Sequence, residues 1–344
     1  MNERDILSFS KDELKEAIVN LGEKQFRADQ LYSWLHKSCV TSFDECTNIS
    51  IPLRKKLSEL YNINTVQIEK KYISKIDGTV KYLFRLSDGE FIESVLMKYN
   101  YGYSICVSTQ VGCRMGCRFC ASTINGVVRN LYPSEILSQL YVAQNDSNTR
   151  INHIVLMGMG EPLDNFDNVI RFLELVTSAD GQNLSMRNIT LSTCGIVPEI
   201  NKLAAKHLQL TLSVSLHAPN DKIRNKIMPV SRAYSIDELL ESCRMYANKT
   251  GRRVSFEYAM IKDINDSSKC ARELSLRLHE MLCHVNVIPI NEVEETGFKR
   301  SSTEKIENFV NILRKNGITV TVRRELGSDI SASCGQLRRK HIKD

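Results

Sequence analysis

Nowhere in the 344 residues is there an apolar run approaching the ~18 needed to cross a bilayer, which sets aside an integral helical membrane protein. Internal repeats and low-complexity tracts are absent too, so neither a solenoid nor a disordered array is expected. The opening stretch, MNERDILSFS, is too charged for a secretory signal, and a cytoplasmic protein is expected. Without an export signal, eleven cysteines, an odd number, do not read as a disulfide framework. Reduced thiols are then available for metal binding or chemistry.

What is present is a composition of 42% hydrophobic and 25% charged residues, enough apolar material for a sizeable core. The length is about twice a typical domain, although one α/β barrel can use most of it. The formal net charge of +6 is concentrated: residues 299–344 hold eleven Lys or Arg against five Asp or Glu and supply the whole excess. Arg323, Arg324, Arg338, Arg339 and Lys340 are therefore candidates to meet phosphates. Charge alone equally describes a solvated basic face.

Residues 1–62 read as a small helical accessory domain, because Leu14, Ile18 and Leu21, then Leu31, Trp34 and Leu35, recur at helical spacing. Residues 63–100 read as a β-rich linker with hairpin turns at Asp77-Gly78 and Asp88-Gly89. From 101 to 344, strand-like runs at 104–109, 153–157, 188–192, 211–216, 254–260, 285–289 and 318–322 alternate with helix-length segments. An α/β fold follows, with a parallel sheet that we expect to curl into a partial (β/α)6 barrel. The polar and glycine-rich motifs all fall just after strands, where a barrel gathers its active-site loops.

The run CRMGCRFC places Cys113, Cys117 and Cys120 at C-x3-C-x2-C spacing after the first barrel strand. Three thiolates can each bind one iron of a [4Fe-4S] cubane, leaving the fourth iron without a protein ligand. An open iron can chelate the amino and carboxylate groups of S-adenosylmethionine, whose reductive cleavage yields a carbon radical able to take hydrogen from unactivated C–H bonds. Zinc is the competing reading. It prefers four ligands, and the nearest histidines, His36 and His153, are distant in sequence.

Further candidates follow the later strands. Gly160 and Glu161 lie in GMGEP, where glycine lets backbone approach a ligand closely and a carboxylate can receive an amine. Ser192, Ser215, Leu216, His217 and Asn291 stand at strand ends, where polar groups suit a carboxylate and a ribose. Cys334, in the loop DISASCGQL, can act as a nucleophile toward a methyl sulfonium, and a second thiol such as Cys106 can later displace it through a disulfide. Buried cysteine is otherwise an inert small hydrophobe, the expectation for Cys39, Cys46, Cys194, Cys243, Cys270 and Cys283.

CVSTQVGCRMGCRFCAST, MGMGEPLDN, SVSLHAPND, VNVIPIN and DISASCGQL, in this order from about Glu93 to the end of the chain, resemble the RlmN/Cfr family of radical S-adenosylmethionine RNA methyltransferases. The helical N-terminus is similar to that family's accessory domain. The resemblance implies methylation of C2 of an adenosine in the peptidyl transferase centre of 23S rRNA, with the anticodon loop of some tRNAs as a further substrate. It implies two S-adenosylmethionine molecules per turnover. One methylates Cys334; the other, on the cluster, is cleaved so that the S-methyl group is activated and joined to C2.

Glu93 then matches the general base for the C2 proton, and Cys106 the thiol that attacks Cys334 sulfur, releases the RNA and leaves a disulfide for reductants to reopen. Without the resemblance, Glu93 reads as an ordinary solvent-facing strand carboxylate. The cluster implies a flavodoxin-like electron donor, and a monomer is expected with no membrane partner. Pro162 resembles the C2-methylating branch, whereas relatives that methylate C8 tend to have alanine there. Two other readings differ in kind: a glycyl-radical activating enzyme, which gives Cys334 no role, and a non-catalytic metal-binding RNA-interaction protein.

Overall fold

The computed structural model describes residues 4–291, 296–333 and 335–337. Cys334, Arg338, Arg339 and Lys340 lie outside the described residues. Among the described residues no helix is long and apolar enough to cross a membrane.

The chain begins with three helices, α1 (Lys11–Asn20), α2 (Phe26–His36) and α3 (Ile51–Leu60). A capping box starts α1. The Ser10 hydroxyl accepts from Glu13 N–H, and Ser10 N–H donates to the Glu13 carboxylate at 2.6 Å, which satisfies two amides that a helix start leaves open. Leu14, Ala17 and Ile18 form its buried face. That face and those of α2 and α3 join the same apolar core as the barrel strands.

An antiparallel sheet follows, β1 (Gln67–Ile73), β2 (Val80–Arg85) and β3 (Phe91–Tyr99), its turns lying at the Asp-Gly pairs expected from sequence. β3 then pairs antiparallel with β4 (Gly102–Cys106), the first barrel strand. A two-stranded ribbon, β5 (Gln110–Gly112) with β6 (Val127–Asn130), brackets the cysteine triplet and separates it from β4.

Six β/α steps complete the barrel. α4 (Pro133–Ser147) leads to β7 (Ile151–Leu156), α5 (Phe166–Thr177) to β8 (Ile189–Thr193), and α6 (Val197–Ala204) to β9 (Thr211–Ser215). α7 (Asp221–Ile227) and α8 (Ile236–Thr250) precede β10 (Val254–Met260), α9 (Ser268–Arg277) precedes β11 (Cys283–Pro289), and α10 (Thr303–Lys315) precedes the short β12 (Val320–Val322). Strands β4, β7, β8, β9, β10, β11 and β12 are parallel neighbours in that order, so one ten-stranded sheet runs from β1 to β12. Each crossover helix lays an apolar stripe on the sheet. In α5, for example, Phe166, Val169, Phe172, Leu173 and Val176 are buried at helical spacing.

Candidate active site

Every parallel strand points its C-terminal end at one rim, and the chemistry-bearing residues collect there. Cys113, Cys117 and Cys120 line a cavity enclosing about 970 Å3 of empty space including its open mouth. Its wall also carries Gly160, Glu161, Ser192, Ser215, His217 and Asn291. Residues from the ends of β7, β8, β9 and β11 are thus brought against the triplet. Leu216 does not line the cavity; its side chain is fully buried in the core, and its N–H donates to Glu257 O at 3.1 Å.

The GMGEP loop is built differently from expectation. A Cβ on Gly158 would lie 2.6 Å from Val107 O, and one on Gly160, whose φ is +100°, 2.6 Å from Gln110 Cβ. The two glycines admit the chain that leaves β4, and Gly158 N–H donates to Val107 O and Thr109 N–H to Met159 O. Close approach to a ligand is therefore not what their missing side chains first serve. Glu161 is buried, with Oε1 accepting from Leu163 N–H at 3.1 Å and Oε2 from Cys194 N–H at 2.7 Å. Burial raises its pKa against these bonds.

His217 adopts a left-handed backbone, φ 55°, and is buried. Its Nδ1 accepts from Ala259 N–H at 2.9 Å, which places the ring proton on Nε2. Burial, helped by Arg224, lowers its pKa to about 3, so the ring is neutral. Phe119 from the triplet loop meets it edge-on at 5.0 Å.

Sequence reasoning missed three residues here. Cys194, expected to be inert, is buried but lines the cavity beside the triplet. Glu257 on β10 faces the same space, accepting from Ser213 Oγ at 2.7 Å and Asn286 Nδ2 at 2.8 Å, with Arg323 Nη1 at 3.8 Å. Arg323, which charge alone offered to phosphate, instead lines this cavity. A charged residue inside a strand run, SFEYAM, was the signal available for Glu257.

The third is Arg224. It is wholly buried, and its Nη2 donates to Cys194 O at 2.6 Å and Ser215 O at 3.2 Å, its Nε to Leu216 O at 3.2 Å, while Nη1 has no hydrogen-bond partner. A buried cation with only carbonyl partners calls for a nearby anion. The triplet would supply one on metal binding, since thiolates bear the negative charge of a cluster. As free thiols Cys113 and Cys117 are protonated: burial pushes Cys113 up to about 12 and Cys117 well above its ordinary value. Among the described residues no group of three or more His, Cys, Asp or Glu side chains is arranged to hold a single metal ion. Three thiols spread over one wall, facing a buried guanidinium and an open cavity, suit a cubane with one ligand per iron.

A second cavity of about 590 Å3 shares a wall with the first, Met157, Ile288, Asn291 and Arg323 lining both. Cys106 lines it, together with Met97, Ala332, Ser333 and Leu337. Residues on either side of Cys334 thus line the same cavity as Cys106, although Cys334 itself is outside the described set. Cys39, Cys46, Cys113, Cys117, Cys194, Cys243, Cys270 and Cys283 are free thiols. Glu93 is buried rather than solvent-facing, with Oε1 3.3 Å from Lys81 Nζ. Gly335 and Leu337 are joined to the triplet loop, Ala121 N–H donating to Gly335 O and Ser122 Oγ to Leu337 O, each at 2.8 Å.

Residues 4–63 match the family model described as the ribosomal RNA large subunit methyltransferase N-terminal domain, and 107–271 that of the radical SAM superfamily. A protein of Lachnospira eligens named "Probable dual-specificity RNA methyltransferase RlmN" is 53% identical over 340 residues, 99% of this chain and 97% of its own. Its namesake in Alkaliphilus oremlandii is 53% identical over 100% of both chains. A radical SAM methyltransferase from Sphaerobacter thermophilus superposes with a TM-score of 0.94 at 40% identity, covering 98% of this chain and 99% of that one.

Proposed function

This chain belongs to the RlmN family of radical S-adenosylmethionine RNA methyltransferases, and from that premise we propose that it methylates C2 of an adenosine in 23S rRNA and in the anticodon loop of some tRNAs. The observation that carries the reading is the shared wall: the cavity of the cysteine triplet adjoins the one lined by Cys106, Ala332, Ser333 and Leu337. Such an adjacency suits chemistry begun in the first cavity and passed to a thiol near the second.

Cys113, Cys117 and Cys120 would hold the [4Fe-4S] cluster, with Gly160, Glu161, Ser192, Ser215, His217 and Asn291 forming the S-adenosylmethionine site; Leu216, whose side chain lies in the core, would join it only through its backbone. When bound, the cluster supplies the electron that cleaves the sulfonium and opens radical chemistry at an S-methyl group. The remaining work falls to the chain. Because C2 of adenine is electron-poor, it cannot attack a methyl sulfonium directly, so the Cys334 thiolate takes the methyl group first by ordinary substitution. The Glu93 carboxylate removes the proton from C2 of the RNA joined through that sulfur. Cys106 then attacks Cys334 Sγ, the RNA leaves, and reduction of the resulting disulfide restores both thiols. Two S-adenosylmethionine molecules are consumed per methyl transferred.

Residues 1–62 form the RNA-binding accessory unit and 63–100 a linker in this reading, and the monomer works in the cytoplasm with a flavodoxin-like donor. Nucleoside analysis of ribosomal and transfer RNA from cells with and without the gene tests it. 2-Methyladenosine appearing only with the gene is expected; 8-methyladenosine, or no change, overturns the assignment.

A further inference from the structure

One buried cation near the transfer site has no part in the reaction above. Lys81 on β2 pairs with Val95, and Leu83 with Glu93, so Lys81 and Glu93 are diagonal neighbours on one face of the sheet. Lys81 Nζ lies 3.3 Å from Glu93 Oε1, with only 11% and 9% of the two side chains exposed. The same ammonium donates to Ser331 O at 3.4 Å and sits 5.1 Å from the centre of the Tyr72 ring. Lysine is seldom buried this far unless it is paired. Here its partners are a side chain of the linker sheet and the backbone of the C-terminal loop, three residues before Cys334.

Two further bonds dock that loop on the β1–β2 turn: Gly327 N–H donates to Asp77 Oδ2 and Lys75 N–H to Asp329 Oδ2, each at 2.9 Å. Neither involves Glu93. Lys81 joins the carboxylate to the loop.

We propose that Lys81 is a positioning residue of the transfer site, fixing the carboxylate of Glu93 and the loop of Cys334 in one frame so that base and carrier converge on the same RNA carbon. The inference rests on those two assignments. A purely charge-balancing role for Lys81 makes a different prediction, because replacing both partners by neutral groups would then restore the wild-type state.

The test uses the full-length holoprotein. Lys81→Met should raise hydrogen exchange across residues 327–333 about tenfold and slow RNA methylation about 100-fold, the order lost when reacting groups are misplaced by an ångström. Cys334 should still be methylated, and KM for RNA should hardly move. Lys81→Arg, which keeps the charge, should recover most of both losses. In Lys81→Met/Glu93→Gln, which carries no unpaired buried charge and so guards against simple misfolding, the loop should still exchange fast. Wild-type exchange in that double variant, or wild-type RNA methylation by Lys81→Met, overturns the proposal and leaves the methyltransferase reading intact. RNA methylation by Cys334→Ala would instead sink the underlying reading, whatever Lys81 does.

Discussion

The two adjoining cavities are held by different means. On the triplet side the wall is made of strand ends, and its bonds run to backbone: Arg224 gathers the carbonyls of Cys194, Ser215 and Leu216, and Glu161 accepts the amides of Leu163 and Cys194. On the thiol-pair side a loop hangs from a hairpin through Asp77, Lys75 and Lys81. The first is as stiff as the sheet that carries it. The second opens by losing a few side-chain bonds and so belongs to the low-stability end of the molecule. In the reaction proposed above, a cofactor has to be gripped in one geometry, whereas a carrier thiol has to reach several partners in turn.

The largest effect expected on the rigid side is loss of the cluster. Cys117→Ala should reduce iron and sulfide after anaerobic reconstitution to background and abolish S-adenosylmethionine cleavage; a full iron complement in that variant would break the comparison at its root. Because the empty thiols titrate above their ordinary range and must shed protons to bind iron, loading of the unaltered protein should improve as pH is raised from 7 to 9. Iron analysis of the desalted protein reads both.

Gly160→Ala comes next. Its Cβ would press on Gln110 in a left-handed backbone, so a loss of about 2–4 kcal/mol is expected from overpacking and strain together, visible as a lower global Tm. On the mobile side, Gly327→Ala meets a similar clash, 2.7 Å from Ala332 Cβ at φ +63°. There the loop yields, and we expect faster exchange over 327–333 with a change in global stability under about 1 kcal/mol. Equal Tm losses in the two glycine variants would erase the distinction between the cavities.

Asp5 serves as a remote control. Buried against Ser8 and Ser134, it has a pKa raised to about 6 by burial. The folded state therefore holds a proton that the unfolded chain, near 3.8, releases. Stability should fall as pH rises through 6 and be recovered on acidification toward 4, by roughly 2–3 kcal/mol. Asp5→Asn should flatten that dependence in thermal melts at pH 5 and 7.5 while leaving iron loading unchanged.

The same contrast explains what could be read from the sequence. The triplet is local, three thiols within eight residues, and the alternation of strand and helix placed it on a barrel rim before any coordinates. Gly160, Glu161, Ser192, Ser215 and His217 were legible as strand-end polar residues, though the glycines prove to accommodate the neighbouring chain. Leu216, named with them at the strand end, has its side chain in the core. Lys81 and Arg224 were invisible because each acquires meaning from a partner dozens to hundreds of residues away, Ser331 and Cys194 among them, and Glu257 showed only as a charge inside a strand run, its partner Asn286 standing on the next strand. Cys106 stood out only as a second thiol near the triplet, and Glu93 was singled out through family likeness, since a strand carboxylate announces nothing by spacing.

β12 and β1 are the opposite margins of a single open sheet, yet the segment leaving β12 crosses to the turn beside β1 and is pinned there. The ring is thus completed by a clasp, not by a ladder. Parting the margins at that seam costs a handful of side-chain bonds, whereas parting strands anywhere else tears a continuous row of amide–carbonyl pairs.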